Sequence, residues 1–361
     1  MMLDERAYWV ALVQFRSFGA VRMSRLMRHF GSGKRAFEAS AGELVESGIE
    51  PQIASRFLQE RIHIEPEQLM RECEVQGVHV VTLMDDIYPP LLKQIYDPPA
   101  VLFLRGALPD PARRHIAVVG SRKASEYGIR VTQEMVKSLA EAGAVIVSGL
   151  AYGIDAVSHD TTLNAQGTTI AVLGSGVDDE SIYPSAHRAL ASRILASGGA
   201  LLSEFPLGTH PLKQHFPFRN RIIAGISHGT LVVEAALKSG SLITARCALE
   251  CGRDVYAVPG SIHSETSQGP HNLIKLGATP VTCVQDLFGL EDVPTPVKNR
   301  YQPRGEEETA LWNRLTTMPI HIDELIRATQ LPPHKVGSTL TMLEIKGAAR
   351  HHGGQFYTRS A

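Results

Sequence analysis

Charge of one sign, long apolar runs and cysteine are what this sequence of 361 residues has least of. Its 36 Lys and Arg balance 37 Asp and Glu for a formal net charge of −1. No bulk field therefore draws the chain to nucleic acid or to a membrane surface, and a polyanion site has to be a local patch. No window reaches the ~18 consecutive apolar residues that a spanning helix needs. The opening Met1-Met-Leu-Asp-Glu-Arg6 carries two acids and meets no apolar h-region, unlike a secretory signal. Four cysteines (Cys73, Cys247, Cys251, Cys283) in so long a chain are expected as reduced, core-filling thiols of a cytoplasmic protein. No Cys/His pair stands at zinc spacing beside them, so no metal site is expected.

What is present is a globular composition, 43% hydrophobic and 20% charged. At ~150 residues per domain the length predicts two or three domains. Residues 1–76 read as short helices broken by glycine, with Val21, Leu26, Met27 and Phe30 at helical spacing and a capping box at Ser40-Ala-Gly-Glu43. Residues 77–290 alternate apolar, β-branched runs with helical stretches. The runs are 116–120, 144–149, 169–174, 200–204, 230–234, 254–259 and 281–284. Strands apolar at nearly every position, each followed by a helix, predict an α/β fold with a doubly wound parallel sheet. A linker at 291–305 holds Pro294, Pro296 and Pro303. Residues 306–361 show helical patterns at 307–316, 322–329 and 333–345 and a hairpin signal at Gly353-Gly354, the pattern of a winged helix.

Several enzymatic fingerprints fail on context. Gly31-Ser-Gly33-Lys-Arg-Ala36 follows a helix rather than a strand and lacks the P-loop residues; Gly174-Ser-Gly176 has Asp179 where a third glycine belongs. Gly225-Ile-Ser227-His-Gly229 matches the nucleophile elbow, but in the order helix, turn, strand. Asp178-Asp-Glu180 reads as a set of solvated turn residues.

From Phe205 to Val233 there is no Asp or Glu, while Lys213, Arg219 and Arg221 bring charge and His210, His215 and His228 add to it when protonated. Phe216 and Phe218 are interleaved with these bases. Cations that follow phosphates and rings that stack on bases suit a single strand of nucleic acid. Gly120-Ser121-Arg122-Lys123 after the first parallel strand is expected to open a helix and favour an anion there. Lys238-Ser239-Gly240-Ser241 stands at a second strand-to-helix junction. Such strand ends line the crevice of a doubly wound sheet, and no acid, base or nucleophile is visible among them.

The order of motifs resembles one known family. It runs through Val119-Gly-Ser-Arg122, Ser148-Gly-Leu-Ala-Tyr-Gly-Ile-Asp155, Gly174-Ser-Gly-Val-Asp178, Tyr183-Pro184, Ser203-Glu204 and Phe216-Pro-Phe-Arg-Asn-Arg-Ile-Ile-Ala224. It continues through Val233-Glu234, Ser239-Gly-Ser-Leu-Ile-Thr-Ala245 and Gly252-Arg-Asp-Val-Tyr-Ala-Val-Pro-Gly260. Over roughly 80–288 the chain resembles the DNA-processing protein A (DprA/Smf) family. The resemblance implies a SAM-like helical domain, an extended Rossmann-like domain and a winged helix. It also implies a non-catalytic cytoplasmic protein that needs no cofactor, binds single-stranded DNA and loads the RecA recombinase during natural transformation. It further implies a homodimer through the Rossmann domain. Carried over by position, the pocket holds Arg122, Lys213, Phe216, Arg219, Asn220 and Arg221, with Arg122 and Lys213 on phosphates and Phe216 stacking.

Two departures stand out. Gly19 is the single glycine where relatives often carry Gly-x-Gly, and helix 333–345 offers only His334 and Lys335 near its start, with Arg350, His351 and His352 on the wing. Two other classes remain open on the residues alone: a nucleotide-processing enzyme of the phosphoribohydrolase type with Glu234 as general base, against which stands an ordinary helix-start ion pair of Glu234 with Lys238, and a duplex-binding regulator using the winged helix.

Overall fold

The computed structural model describes residues 5–288, 303–316 and 318–359, which fall into two compact units, 1–294 and 295–361. Most of the expected linker, Pro294 and Pro296 included, lies outside the described residues.

The first unit is built on a nine-stranded sheet. Its strands are β1 (His79–Thr82), β2 (Val101–Gly106), β3 (His115–Val119), β4 (Val145–Ser148), β5 (Thr168–Val172), β6 (Ala200–Ser203), β7 (Gly229–Val232), β8 (Asp254–Ala257) and β9 (Thr279–Pro280). The order is β1-β2-β6-β5-β4-β3-β7-β8-β9. From β6 to β9 neighbours run parallel, as the apolar runs predicted. Strands β1 and β2, missed in the sequence, extend the sheet antiparallel beside β6.

Side chains of a strand alternate between faces. Ile116 and Val118 of β3 pack with Met135, Val136 and Leu139 of the helix Glu126–Glu141. Ala117 and Val119 pack in a second core with Ile222 and Ile223 of the helix His215–Gly225. Helices thus cover both faces, which is why polar positions are scarce in these strands. Between β3 and β7 the chain order reverses, and at such a switch point the loops leaving the carboxyl ends of the strands open a crevice.

Two expectations are corrected here. Residues 281–284 are not a strand: the Asp286 carboxylate accepts from the backbone N–H of Thr282 (2.8 Å) and Cys283 (3.2 Å), just ahead of the helix Gln285–Phe288. Cys73 is buried in a core and the half-buried Cys247 and Cys251 pack against one, so the core-filling expectation fails at the exposed Cys283.

The helices before the sheet are Glu5–Gln14, Ala20–Phe30, Gly33–Glu38, Ala41–Glu46, Pro51–Glu60 and Pro66–Val75. The capping box forms, with Ser40 and Glu43 bonded reciprocally. The buried face of Ala20–Phe30 is Met23, Leu26, Met27 and Phe30, one heptad stripe, and Val21 lies off it at 44% exposure. These helices share a core with the sheet, from Trp9, Phe15, Phe18 and Phe57 through Val80 and Phe103 to Leu173 and Val177.

In the second unit, helices Glu306–Arg314, Ile322–Thr329 and Pro333–Ile345 enclose Leu311, Leu325, Val336, Leu340 and Leu343. A three-stranded sheet, β10 (Ile320–His321), β11 (Ala349–His351) and β12 (Phe356–Arg359), completes the winged helix. Its hairpin turns at Gly353 (φ 80°) and Gly354 (φ 55°), a left-handed backbone that glycine adopts without strain. No helix among the described residues is long and apolar enough to cross a membrane.

Candidate nucleic-acid interface

The loop after β3 is a tight turn in which Ser121 Oγ accepts from the Lys123 N–H (3.1 Å) and donates to the Lys123 carbonyl (2.9 Å). The loop after β4 presses on it: Gly153, at φ +75°, leaves so little room that a Cβ would lie 2.2 Å from the Ser121 carbonyl oxygen. Gly120 is equally confined, between Ile154 and the Glu234 backbone. The two loops are therefore held together, with Arg122 and Lys123 exposed at the rim.

This turn does not itself open the helix. The helix starts at Glu126 with Ser125 as its cap, and the anion at its N-terminus is a protein carboxylate. Glu234 accepts from the Ser125 N–H (2.9 Å) and hydroxyl and from Thr266 Oγ1 (3.0 Å). Gly128 makes room for it, since a Cβ there would lie 2.2 Å from Glu234 Oε2. Glu234 is buried, and its partners are these groups rather than Lys238, which lies in a turn ahead of the helix Ser241–Glu250.

The helix His215–Gly225 carries the aromatic and basic residues, and its two halves differ in depth. At its start, Phe216 is half-buried and Phe218 is 53% exposed. The Arg122 guanidinium lies over the Phe216 ring, 5.4 Å from its centroid, although the two are distant in sequence. Tyr183, exposed on the loop after β5, tilts against the same ring at 5.6 Å. Lys213 is exposed just ahead of the helix, with no hydrogen-bond or ion-pair partner among the described residues.

One turn on, the same basic run is inside the protein. Arg219, 3% exposed, donates to the carbonyl of Gly149 (3.0 Å) and to that of Val172, with the buried Asp155 as counter-charge. Burial pushes Arg219 down to about 10 against the pull of Asp155, so it stays protonated at neutral pH. Burial likewise pushes the Asp155 carboxyl up, opposed by Arg219. Asp155 in turn accepts from the Gly149 N–H at 3.1 Å. Arg221 pairs with Asp97 (3.0 Å) and Glu204 (2.6 Å) and lies 5.1 Å from the Phe218 centroid. Asn220 donates to the Gly240 carbonyl at 3.2 Å and so ties this helix to the loop after β7. In that loop Ser239 and Ser241 join hydroxyls at 2.8 Å, and Ser241 starts the helix Ser241–Glu250.

The sequence grouping is therefore divided. Arg122, Lys213 and Phe216 reach the rim, whereas Arg219, Asn220 and Arg221 brace it from beneath. Two of the three histidines are set against carrying charge. Burial holds His215 and His228 below the ordinary imidazole pKa, so they lean neutral, with His215 3.2 Å from the Gly174 carbonyl and stacked on Phe205. Asp178 is not a solvated turn residue: it is buried and accepts from the Gly208 N–H at 2.9 Å, stapling two site loops. Among the described residues no group of His, Cys, Asp and Glu suits a metal ion. Sequence reasoning missed Tyr183 as a site residue and Asp155 as a buried counter-ion. The only signal for either was its place in the motif order.

A family profile described as "DNA recombination-mediator protein A" matches residues 79–291, and a second, the "DprA winged helix domain", matches residues 296–355. The chain is 42% identical over 309 residues to "Protein Smf" of Escherichia coli (strain K12), covering 84% of this chain and 81% of that protein. It is 46% identical over 220 residues to "DNA processing protein DprA" of Bacillus subtilis (strain 168), covering 61% and 72%. Among solved structures, DNA processing protein A of Streptococcus pneumoniae superposes with a TM-score of 0.68 at 36% identity, covering 80% of this chain and 98% of that one. The protein of the same name from Helicobacter pylori, whose structure is titled for its single-stranded DNA binding mode, superposes with a TM-score of 0.51 at 28% identity, covering 59% and 95%. Shared sequence along most of its length, and a shared architecture, make this chain a member of the DNA-processing protein A (DprA/Smf) family of recombination mediators.

Proposed function

We propose that this protein binds single-stranded DNA in the crevice at the carboxyl ends of β3, β4, β5 and β7. It acts there as a non-catalytic mediator that loads RecA during recombination and natural transformation in the cytoplasm, as a homodimer through the sheet-bearing part of the chain. The working parts are the helical residues 1–76, the DNA-binding residues 77–290 and the winged helix 306–361. The observation that carries the reading is the Arg122 guanidinium over the accessible Phe216 ring, 5.4 Å from its centroid, with Lys213 exposed nearby. A cation and a π-face side by side contact a phosphate and its base together, and any base serves because all have π-faces. Gly120 and Ser121 shape the turn that holds Arg122. Ser239, Gly240 and Ser241 close the far side. Arg219, Asn220 and Arg221 hold the floor. The single-stranded DNA named for the Helicobacter pylori relative supports the choice of ligand.

The test is fluorescence anisotropy with a labelled oligothymidylate and a matched duplex at two salt concentrations. Tight, salt-sensitive binding that favours the single strand is expected. Phe216→Ala is expected to cost ~1–3 kcal/mol with little change in salt slope. Arg122→Ala and Lys213→Ala are each expected to weaken all sequences alike and to lower the slope by about 0.7. Unchanged affinity in all three variants overturns the pocket, and preference for duplex moves the function to the winged helix.

A further inference from the structure

Arg16 lies in the turn between the first two helices. The Phe18 N–H donates to the Phe15 carbonyl (2.8 Å), which leaves Arg16 and Ser17 at the outside of the turn. Both flanking rings are buried and clamped on Phe57, with centroids 5.4 Å away for Phe15 and 4.8 Å for Phe18. The turn is thus a rigid mount, and Arg16 projects from it exposed. Nearby arginines of this helical segment are engaged: Arg22 with Glu50 at 2.8 Å and Arg56 with Glu60 at 2.8 Å. Arg16 has no hydrogen-bond or ion-pair partner among the described residues.

The mount is also joined to the pocket through the core. Phe15 and Phe18 share one continuous core with Leu173 and Val177, which bracket the loop after β5. The carbonyl of Gly174 in that loop meets the His215 ring, and His215 begins the helix that carries Phe216. Burial lowers the His215 pKa most, the bond to the Gly174 carbonyl opposes it, and the charge of Arg16 adds the smallest lowering, so Arg16 stands within electrostatic reach of the helix start. An unpaired cation on a rigid turn beside a strand-binding crevice suits a phosphate of the strand as it leaves that crevice.

We infer that Arg16 binds a backbone phosphate outside the pocket, so that the N-terminal helices form part of the single-strand interface. The inference rests on the proposed single-strand reading of the pocket and adds a length dependence to it. A short strand fills the crevice alone, and a longer one also reaches Arg16.

The test compares the full chain with its Arg16→Ala, Arg16→Lys and Arg122→Ala variants against labelled oligothymidylates of about 6 and about 20 nucleotides. Arg16→Ala is expected to leave the short oligonucleotide unchanged, to weaken the long one about fivefold and to lower its salt slope by about 0.7. Arg16→Lys is expected to keep both affinities, because a point charge suffices for a phosphate. Thermal melts of each variant check the fold, which an exposed residue without a bonded partner leaves intact. Wild-type affinity of Arg16→Ala at both lengths, with Arg122→Ala weak at both, overturns this inference and leaves the pocket standing. Equal weakening at both lengths also overturns it, since Arg16 then belongs to the pocket. Binding that Arg122→Ala leaves untouched removes the pocket and this extension together.

Discussion

The rim of the crevice and the layer just beneath it use the same residue types to opposite ends. At the rim Arg122 lies exposed over Phe216 and Lys213 has no protein partner among the described residues. Beneath, Arg219 satisfies the carbonyls of Gly149 and Val172 against Asp155, and Arg221 bridges Asp97 and Glu204. His159, in the same layer, is buried with Nδ1 2.7 Å from Thr169 Oγ1. The difference is one of solvation. A guanidinium in water keeps its charge available to a phosphate, whereas a buried one requires an internal counter-charge and acceptors, because an unpaired buried charge is costly. Depth alone therefore divides the proposed binding surface from its support.

That division has measurable consequences of decreasing size. Arg219→Ala leaves Asp155 and two carbonyls without their partner, and is expected to destabilise the first unit by about 3–5 kcal/mol in urea unfolding. A loss below ~1 kcal/mol would contradict the structural role given to the buried layer. Acid is expected to act on the same layer. Burial, aided by the charges of His187 and Arg219, holds His159 down to about 3, against roughly 6.5 for an unfolded imidazole. Between those values the unfolded chain binds a proton that the folded chain refuses. Stability from this group therefore falls as pH drops through that window, with a slope of about 1.4 kcal/mol per pH unit. Urea midpoints at pH 7 and pH 5 check this, and a midpoint that does not fall would mean that His159 takes up a proton in the fold. Arg122→Ala, at the rim, is expected to shift stability by no more than about 0.5 kcal/mol while it weakens binding. A large loss of stability there would erase the distinction between rim and layer.

The winged helix offers a second contrast with the rim. On the helix Pro333–Ile345, Lys335 pairs with Glu307, while Met342 and Ile345 are exposed. Its cation is thus engaged within the unit, unlike Arg122 and Lys213.

Much of the architecture was legible because local signals and burial agree. The helices Ile322–Thr329 and Pro333–Ile345 begin and end where their patterns predicted, and six of the seven apolar runs became parallel strands. Strands β1 and β2 escaped notice as short runs on either side of a proline-rich stretch, outside the strand–helix alternation. The apolar run at 281–284 stays out of the sheet because the N–H groups of Thr282 and Cys283 are taken by the Asp286 carboxylate. In the site, absence of acids over 205–233 located the basic helix, and the glycines located its loops. The run Phe216-Pro-Phe-Arg-Asn-Arg221 carries no periodicity that separates an inward arginine from an outward one.

By itself the sequence determined the element types, the motif order and hence the family. Those follow from local propensity, from hydrophobic period and from glycines at close approaches. Only the tertiary structure decided which cations face water, that Glu234 occupies the anion position at the helix beginning at Glu126, and that Arg122 meets Phe216. The reason is physical: solvation and counter-charge are set by neighbours distant in the chain, and charge availability depends on both.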